Sequence, residues 1–133
     1  MPLVLPRNTS LPAAVVTTTE WLAFASPAQR RVGDKKDPKA AAAQAEAAWA
    51  AVAGDAEKAK VVYCIEPLAR GETDFVNTVA EAAAIVERVG NPHLRTMIDT
   101  SAAAQAEAEP VAEVVTRWMP TGLIGHVQLN DRN

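Results

Sequence analysis

Three side chains with oxygen donors each stand at or near the end of a short apolar run. Glu66 follows the run 61–65, and Asp99 and Gln128 end two similar runs later in the chain. A continuous apolar run that is rich in β-branched residues predicts a strand buried on both faces. In parallel α/β sheets, ligands bind at the carboxyl ends of the strands. Two carboxylates and an amide oxygen at that edge would suit a hard or borderline divalent cation.

Several of these residues have a simpler explanation that stays open at this point. Glu66 taken alone is equally consistent with an edge carboxylate that turns to solvent. His93 follows Asn91 and Pro92, which favours a solvated loop residue over a ligand. A phosphate contact is conceivable for Arg30 and Arg31, but their charged surroundings favour a solvated loop. The tryptophans fall on apolar faces and are predicted to be core residues: Trp21, Trp49 and Trp118.

The elements that must position these residues alternate between helix and strand. Asp37 and Pro38 are typical of a helix start, and Thr78 with Glu81 has capping-box spacing. The predicted order is helix 39–60, strand 61–66, helix 79–89, strand 94–99, helix 110–118 and strand 123–129. Alternation of this kind predicts right-handed βαβ units and an α/β fold with a parallel sheet.

The first 19 residues do not follow this pattern. They contain Pro2, Pro6 and Pro12, which disfavour helix. We predict an irregular N-terminal segment over 1–19 that contributes little to the core, and a domain that covers 20–133. A short apolar run at 21–25 is a candidate first strand of this domain.

Composition excludes several classes of protein. The hydrophobic fraction is 49%, the net charge is −3 and the pI is about 5.4. With no basic patch and no apolar run near the length of a membrane span, neither nucleic acid nor a membrane is expected as a partner. No signal peptide is recognisable. The single cysteine, Cys64, lies in a predicted strand, which is consistent with a reducing, cytoplasmic location.

Five motifs occur in an order and at distances that resemble one family. They are, along the chain, SPAQR at 26–30, IEPL at 65–68 with Glu72, DFVNT at 74–78, IDT at 98–100 and HVQLND at 126–131. Together they are similar to the sugar isomerase/epimerase superfamily with a xylose isomerase-like TIM barrel, which includes hydroxypyruvate isomerase and the ketose 3-epimerases. The resemblance covers residues 24–133. It implies a partial TIM barrel, about half, made of strands four to seven.

The resemblance also implies roles for individual residues. Glu66 looks like a metal ligand that doubles as the catalytic acid/base, and Asp99 and Gln128 look like further metal ligands. Glu72 and His126 match substrate-binding positions. The implied activity is isomerisation or epimerisation of a sugar or hydroxy-keto acid, by proton transfer through a cis-enediolate. The implied cofactor is a weakly bound divalent metal: Mn²⁺, Mg²⁺ or Co²⁺.

The chain departs from the family pattern at three places. Ala102 stands where the epimerases have a substrate-binding His, so recognition of sugars as in those enzymes is not expected. The family's fourth metal ligand, a Glu on the eighth strand that also serves as an acid/base, has no counterpart in these 133 residues. The family's first three strands also have no counterpart in residues 1–19.

Three functions therefore stay open from the sequence. The first is a fragment of a divalent-metal-dependent sugar or keto-acid isomerase or epimerase. The second is a truncated, catalytically inactive chain that forms a homo-oligomer through open sheet edges. The third is an apurinic endonuclease of the same barrel type, which two histidines and a negative net charge disfavour, since that chemistry needs several His ligands and a basic groove.

Overall fold

The computed structural model describes residues 30–131 and has the alternating order that the sequence predicts. The predicted elements 1–19 and 21–25 lie outside these residues. In chain order the elements are α1 (Pro38–Ala59), β1 (Tyr63–Ile65), α2 (Val79–Val89), β2 (Leu94–Asp99), α3 (Thr100–Ala106), α4 (Val111–Trp118), a 3₁₀ turn (Met119–Thr121) and β3 (Ile124–Gln128).

The three strands form one parallel sheet in the order β1-β2-β3. Each strand is joined to the next through helix, so neighbouring strands run in the same direction and end at the same edge. This confirms the predicted α/β class with parallel βα repeats, and it fits part of a TIM barrel. Because β1 and β2 are parallel, Glu66 after β1 and Asp99 at the end of β2 lie at the same edge of the sheet, as predicted.

Local capping explains why the helices begin where they do. The Asp37 side chain accepts a hydrogen bond from the Ala40 N–H at 3.0 Å, and Pro38 opens α1. Thr78 and Glu81 form the predicted capping box at the start of α2. The predicted bounds of α2 are confirmed to the residue. Helix α1 passes through Gly54 without a break.

The helices cover one face of the sheet and bury the core there. One cluster joins Trp49 of α1 and Val86 of α2 to Ile65 and Leu94. A second joins Ile98 to residues of α2, α3 and α4. Because successive side chains of a strand point to opposite faces, Cys64, Arg95, Met97 and Asp99 must point to the face away from the helices.

Two details differ from the sequence prediction. Helix α3 begins directly after β2, in a segment for which the sequence predicted no separate helix. Strand β1 has only three residues, shorter than the predicted 61–66, and Val61 and Val62 are exposed ahead of it. None of the described helices has both the length and the apolarity that a membrane span requires.

Candidate active site

Glu66, Asp99, His126 and Gln128 share the helix-free face at one edge of the sheet. Glu66 comes directly after β1, and Asp99 is the last residue of β2. In the β2–β3 register, His126 aligns with Met97 and Gln128 aligns with Asp99. Neighbouring residues of parallel strands project to the same side, so the alignment brings these side chains to the side of Asp99.

A bulge at Gly125 produces this alignment. Thr96 pairs with Ile124, but Met97 pairs with His126, which leaves Gly125 as one extra residue on β3. A Cβ at Gly125 would lie 2.7 Å from Cys64 Sγ and 3.1 Å from Arg95 Cβ. Only glycine fits this close approach. Without the extra residue, His126 and Gln128 would point to the helix-covered face. With it, they point to the same face as Asp99.

Asp99 is a buried carboxylate that also caps a helix. It is 8% exposed, and its Oδ1 accepts hydrogen bonds from the N–H groups of Ser101 (2.8 Å) and Ala102 (3.1 Å). These bonds begin α3 and fix the rotamer of the side chain. Both use the same oxygen, so Oδ2 takes no part in the cap. The capping bonds therefore position Asp99 at the strand end.

The carboxyl group of Glu66 lies in an environment that favours its protonated form. Burial raises its pKa above the ordinary value, and the negative charge of Asp99 raises it further. The charges of Arg30 and His126 act in the opposite direction, and Glu72 adds a smaller upward effect. Two carboxylates that repel one another across adjacent strand ends are therefore held together by the fold.

The donor set suits a divalent cation in part. Carboxylate oxygens from Glu66 and Asp99 and the amide oxygen of Gln128 are hard ligands of the kind that Mg²⁺ and Mn²⁺ prefer. A cation between the two carboxylates would relieve the repulsion that raises the pKa of Glu66. Within residues 30–131, no group of three or more His, Cys, Asp or Glu side chains is arranged to hold a metal ion. The fit therefore rests on two carboxylates and one neutral amide.

Arg30 is buried, and the prediction of a solvated loop residue was wrong for it. It is 7% exposed, and its guanidinium lies 5.9 Å from the centre of the Trp49 ring. Its Nη1 donates a hydrogen bond to the Glu66 carbonyl oxygen at 2.5 Å. The burial was missed because the contacts come from α1 and β1, which lie far from Arg30 in the sequence.

The loop after β1 is held in shape by its own polar groups. The Asn77 side chain is buried and donates hydrogen bonds to the carbonyl oxygens of Leu68 (2.7 Å) and Thr73 (3.0 Å). Val76 has a φ of +62°, a conformation that is strained for a β-branched residue. Its burial in the core and the bond from the Leu68 N–H to its carbonyl hold it there.

Glu72, which the family resemblance assigned to substrate, lies in this loop and is exposed. Its Oε2 accepts a hydrogen bond from the Ala69 N–H at 3.2 Å, so it stabilises the turn. It also lies near enough to raise the pKa of Glu66. The side chain is therefore close to the strand ends, and its substrate contact stays a prediction.

The carboxylate of Asp74 links this loop by hydrogen bonds to the segment that follows Arg30. Asp74 accepts hydrogen bonds from the N–H groups of Val32 (2.8 Å) and Gly33 (3.0 Å). These bonds lower the pKa of Asp74. Arg31 adds a bond from Nη2 to the Gly71 carbonyl oxygen at 3.2 Å. No role was predicted for Asp74 from the sequence, although it lies in one of the five motifs.

The two histidines have different positions. His126 is exposed on β3 and lies close enough for its charge to lower the pKa of Glu66. His93 lies at the start of β2, with Nδ1 2.7 Å from the Val61 carbonyl oxygen. This is the amino end of the strands, so His93 lies at the opposite edge from the carboxylates. It is a loop residue, as predicted, but it is half-buried and not fully solvated.

The comparisons with known proteins agree with this geometry. None of the curated proteins compared with the chain matches it significantly. The family model described as "Xylose isomerase-like TIM barrel" matches residues 13–133. That match covers nearly the whole sequence, including every strand of the sheet and all the residues at its carboxyl edge. The chain therefore belongs to the xylose isomerase-like TIM barrel family.

Proposed function

We propose that this chain is part of a divalent-metal-dependent isomerase or epimerase that acts on a sugar or hydroxy-keto acid. The observation that carries the proposal is the placement of Glu66, Asp99 and Gln128 at one edge and on one face of a parallel sheet. Family membership supports an isomerase-like reaction, and the donor set supports a hard divalent cation such as Mn²⁺, Mg²⁺ or Co²⁺.

Glu66 is the residue that we assign to proton transfer. A carboxyl group works best as a general acid/base when its pKa lies near the working pH. In the metal-free chain, burial and Asp99 both move the pKa of Glu66 in that direction. In the proposed reaction, the Glu66 carboxylate removes a proton from the carbon that bears the substrate hydroxyl, which leaves a cis-enediolate and a protonated Glu66. Glu66 returns this proton to the neighbouring carbon, or a second acid, the Glu that the family has on its eighth strand, protonates the opposite face.

The metal would be held by Glu66, Asp99 and Gln128. When bound, it would polarise the substrate carbonyl and acidify the adjacent C–H bond. Asp99 contributes an oriented carboxylate, because its capping bonds to Ser101 and Ala102 fix it. Glu72 and His126, whose charges act on the pKa of Glu66, would contact the substrate.

Metal binding provides the first test. Mn²⁺ affinity would be measured by electron paramagnetic resonance for the native chain, Glu66→Gln and Asp99→Asn. Asparagine is also a good helix cap, so Asp99→Asn should keep α3 intact while it removes the charge. The matched control is Glu87→Gln, an exposed carboxylate on α2. Equal affinity in all four proteins would contradict the proposed site.

Proton abstraction provides the second test. The chain would be incubated in D₂O with Mn²⁺ and either hydroxypyruvate or a ketose, and the substrate C–H signal would be followed by NMR. We expect exchange above the metal-only background, and its loss in Glu66→Gln. A general base contributes typically 10²–10⁴-fold. Exchange that is the same in Glu66→Gln would contradict the assignment of Glu66.

Complete isomerisation is not expected from the 133-residue chain alone. The amide oxygen of Gln128 attracts a cation less than a carboxylate does, so binding should be weak. Among residues 30–131, no third His, Cys, Asp or Glu joins the two carboxylates as a ligand. Turnover of hydroxypyruvate or ketoses that disappears in Glu66→Gln would show that a partner or another residue completes the site.

A second candidate function is self-association. Within residues 30–131, β1 and β3 each pair with a strand on one side only, and Leu129, just past β3, is 85% exposed. Unpaired strand edges favour pairing with another chain. Sedimentation of the native chain and of Leu129→Lys tests this, and a monomer at all concentrations would contradict it. A cytoplasmic location belongs to both candidates and is supported by the free Cys64.

A further inference from the structure

Arg30 contacts the main chain of the candidate site at the point where β1 ends. Its Nη1 donates to the carbonyl oxygen of Glu66, the first residue after β1. Of the five N–H donors of a guanidinium, this bond uses one. Nε is buried and has no hydrogen-bond partner among the described residues. A buried cation with so few bonds to the described residues requires an explanation, because the core alone gains little from it.

The charges around Arg30 come from the candidate site. The acidic groups whose charges act on it are the hydroxyl of Tyr63 and the carboxylates of Glu66 and Glu72. A guanidinium that already interacts with carboxylates of its own chain is poorly suited to capture an external anion. It is suited to attract the side chain of Glu66, whose carbonyl oxygen it bonds.

The position of Arg30 is itself fixed by two sets of contacts. Its guanidinium lies over the ring of Trp49, which in turn stacks on Phe75 with ring centres 6.0 Å apart. The residues that follow it are fastened to the loop after β1 by Asp74, which accepts from the N–H groups of Val32 and Gly33. Hydrogen bonds and aromatic contacts therefore hold Arg30 and Glu66 in a fixed position relative to one another.

We propose that Arg30 is a positioning residue of the candidate metal site. Its bond to the Glu66 carbonyl fixes the main chain at the end of β1, and its charge attracts the Glu66 carboxylate, so that together they limit the side chain to one rotamer. The metal-related part of this inference rests on the function proposed above. The orienting of Glu66 does not, since it can be measured without metal.

The first experiment measures the orientation of Glu66 in metal-free protein. Three-bond couplings to Glu66 Cγ report whether χ1 occupies one rotamer, and the Glu66 carbonyl carbon shift reports the hydrogen bond from Arg30. We expect one rotamer in the native chain and averaging, with a shifted carbonyl resonance, in Arg30→Met. The matched control is Arg31→Met, because Arg31 bonds to Gly71 and not to Glu66.

The second experiment measures Mn²⁺ affinity in the same proteins at one pH. Loss of a group that orients a metal ligand typically weakens binding by about 10–100-fold. We expect that loss in Arg30→Met and native affinity in Arg31→Met. Arg30→Lys keeps the positive charge but not the planar guanidinium with its paired donors. Its Mn²⁺ affinity should therefore lie between the affinities of Arg30→Met and the native chain.

The outcomes separate the two ideas. A single native-like Glu66 rotamer in Arg30→Met overturns the positioning role, whether or not the chain binds Mn²⁺. No Mn²⁺ binding by the native chain, together with rotamer averaging in Arg30→Met, overturns the metal function but supports the positioning of Glu66. If Arg30→Met does not give a cooperative thermal transition, the same two measurements are made on Arg30→Lys. A native Glu66 rotamer together with native Mn²⁺ affinity in Arg30→Lys would then overturn the inference.

Discussion

Asp99 lies directly opposite Gln128 across the β2–β3 pair, and one extra residue in β3 is responsible for this alignment. If the register at Thr96 and Ile124 continued without a bulge, Asp99 would face Val127. The Gln128 amide would then point to the helix-covered face. The bulge at Gly125 therefore decides whether the third donor reaches the two carboxylates.

Substitution of Gly125 tests the importance of the bulge. In Gly125→Ala the new Cβ would lie 2.7 Å from Cys64 Sγ, so the strands must separate or the backbone must shift. We expect a loss of about 1–3 kcal/mol in the free energy of unfolding, measured by urea denaturation. Because Cys64→Ala removes the clashing sulfur, the double variant should lose less than the sum of the two single variants.

The matched control for this prediction is Gly54→Ala. Nothing lies within 4 Å of a Cβ at Gly54, which is inside α1. Alanine is favoured over glycine in a helix by about 1 kcal/mol, so this variant should be more stable than the native chain. Equal stability of Gly125→Ala and the native chain would show that the close approach to Cys64 imposes no constraint.

Replacement of Gln128 by glutamate should strengthen metal binding. Glu is nearly isosteric with Gln and adds a negative charge to the edge that already carries Glu66 and Asp99. At an effective dielectric of about 20, a charge pair at about 4 Å interacts by roughly 4 kcal/mol, so about a third of that energy gives a tenfold effect on affinity. Mn²⁺ affinity of Gln128→Glu, compared with Gln128→Met as the neutral control, provides the measurement. Weaker binding in Gln128→Glu would place Gln128 outside the site.

The raised pKa of Glu66 predicts a pH-dependent effect on stability. The folded state binds the Glu66 proton more tightly than the unfolded chain, whose pKa lies near 4.5. The stabilising contribution is therefore complete below that value and is lost as pH rises through the folded-state pKa. Glu66→Gln removes the cost of the ionised form, so in EDTA at neutral pH it should melt a few degrees above the native chain.

The same comparison across pH provides the control. As pH falls towards 4.5, the native carboxyl becomes protonated and the advantage of Glu66→Gln should disappear. An advantage that stays constant with pH would mean that packing, and not charge, separates the two proteins. A native chain that is the more stable at neutral pH would contradict the raised pKa.

At position 76, the usual order of stability of alanine and glycine variants should be reversed. At ordinary positions glycine is less stable than alanine by about 0.5–1 kcal/mol. Val76 has a φ of +62°, where an L-residue is disfavoured by roughly 1–2 kcal/mol and glycine is not. Both variants lose the buried side chain, but Val76→Gly should be at least as stable as Val76→Ala. The control is Val86 in α2, where Val86→Gly should be less stable than Val86→Ala. Thermal denaturation provides the measurement.

Deletion of residues 1–15 should change the thermal midpoint only slightly. The prediction rests on the three prolines and the lack of hydrophobic periodicity in this segment. It lies outside the residues that the structure describes, so circular dichroism of the shortened chain is the direct measurement. Loss of the cooperative transition would mean that the segment supplies a strand or a core contact.

Local signals in the sequence determined the helices and the direction of the strands. Asp37 and Thr78 bond to backbone groups within three residues, so the start of α1 and of α2 could be predicted from neighbours in the chain. The alternation of apolar strands with helices predicted the parallel sheet, and with it the shared edge of Glu66 and Asp99. The same apolar runs did not reveal α3, which depends on the capping carboxylate of Asp99.

Contacts between residues distant in the chain decided the rest of the site. Arg30 is buried because Glu66 and Trp49, brought to it by β1 and α1, form its surroundings. Position 125, where β3 has its extra residue, holds glycine because Cys64 of β1 leaves no room for a side chain there. Neither effect leaves a periodic pattern in the sequence, since each is set by distances across the sheet. The sequence therefore determined which donors reach the edge, and the tertiary structure decided which face Gln128 occupies and what holds Glu66 in place.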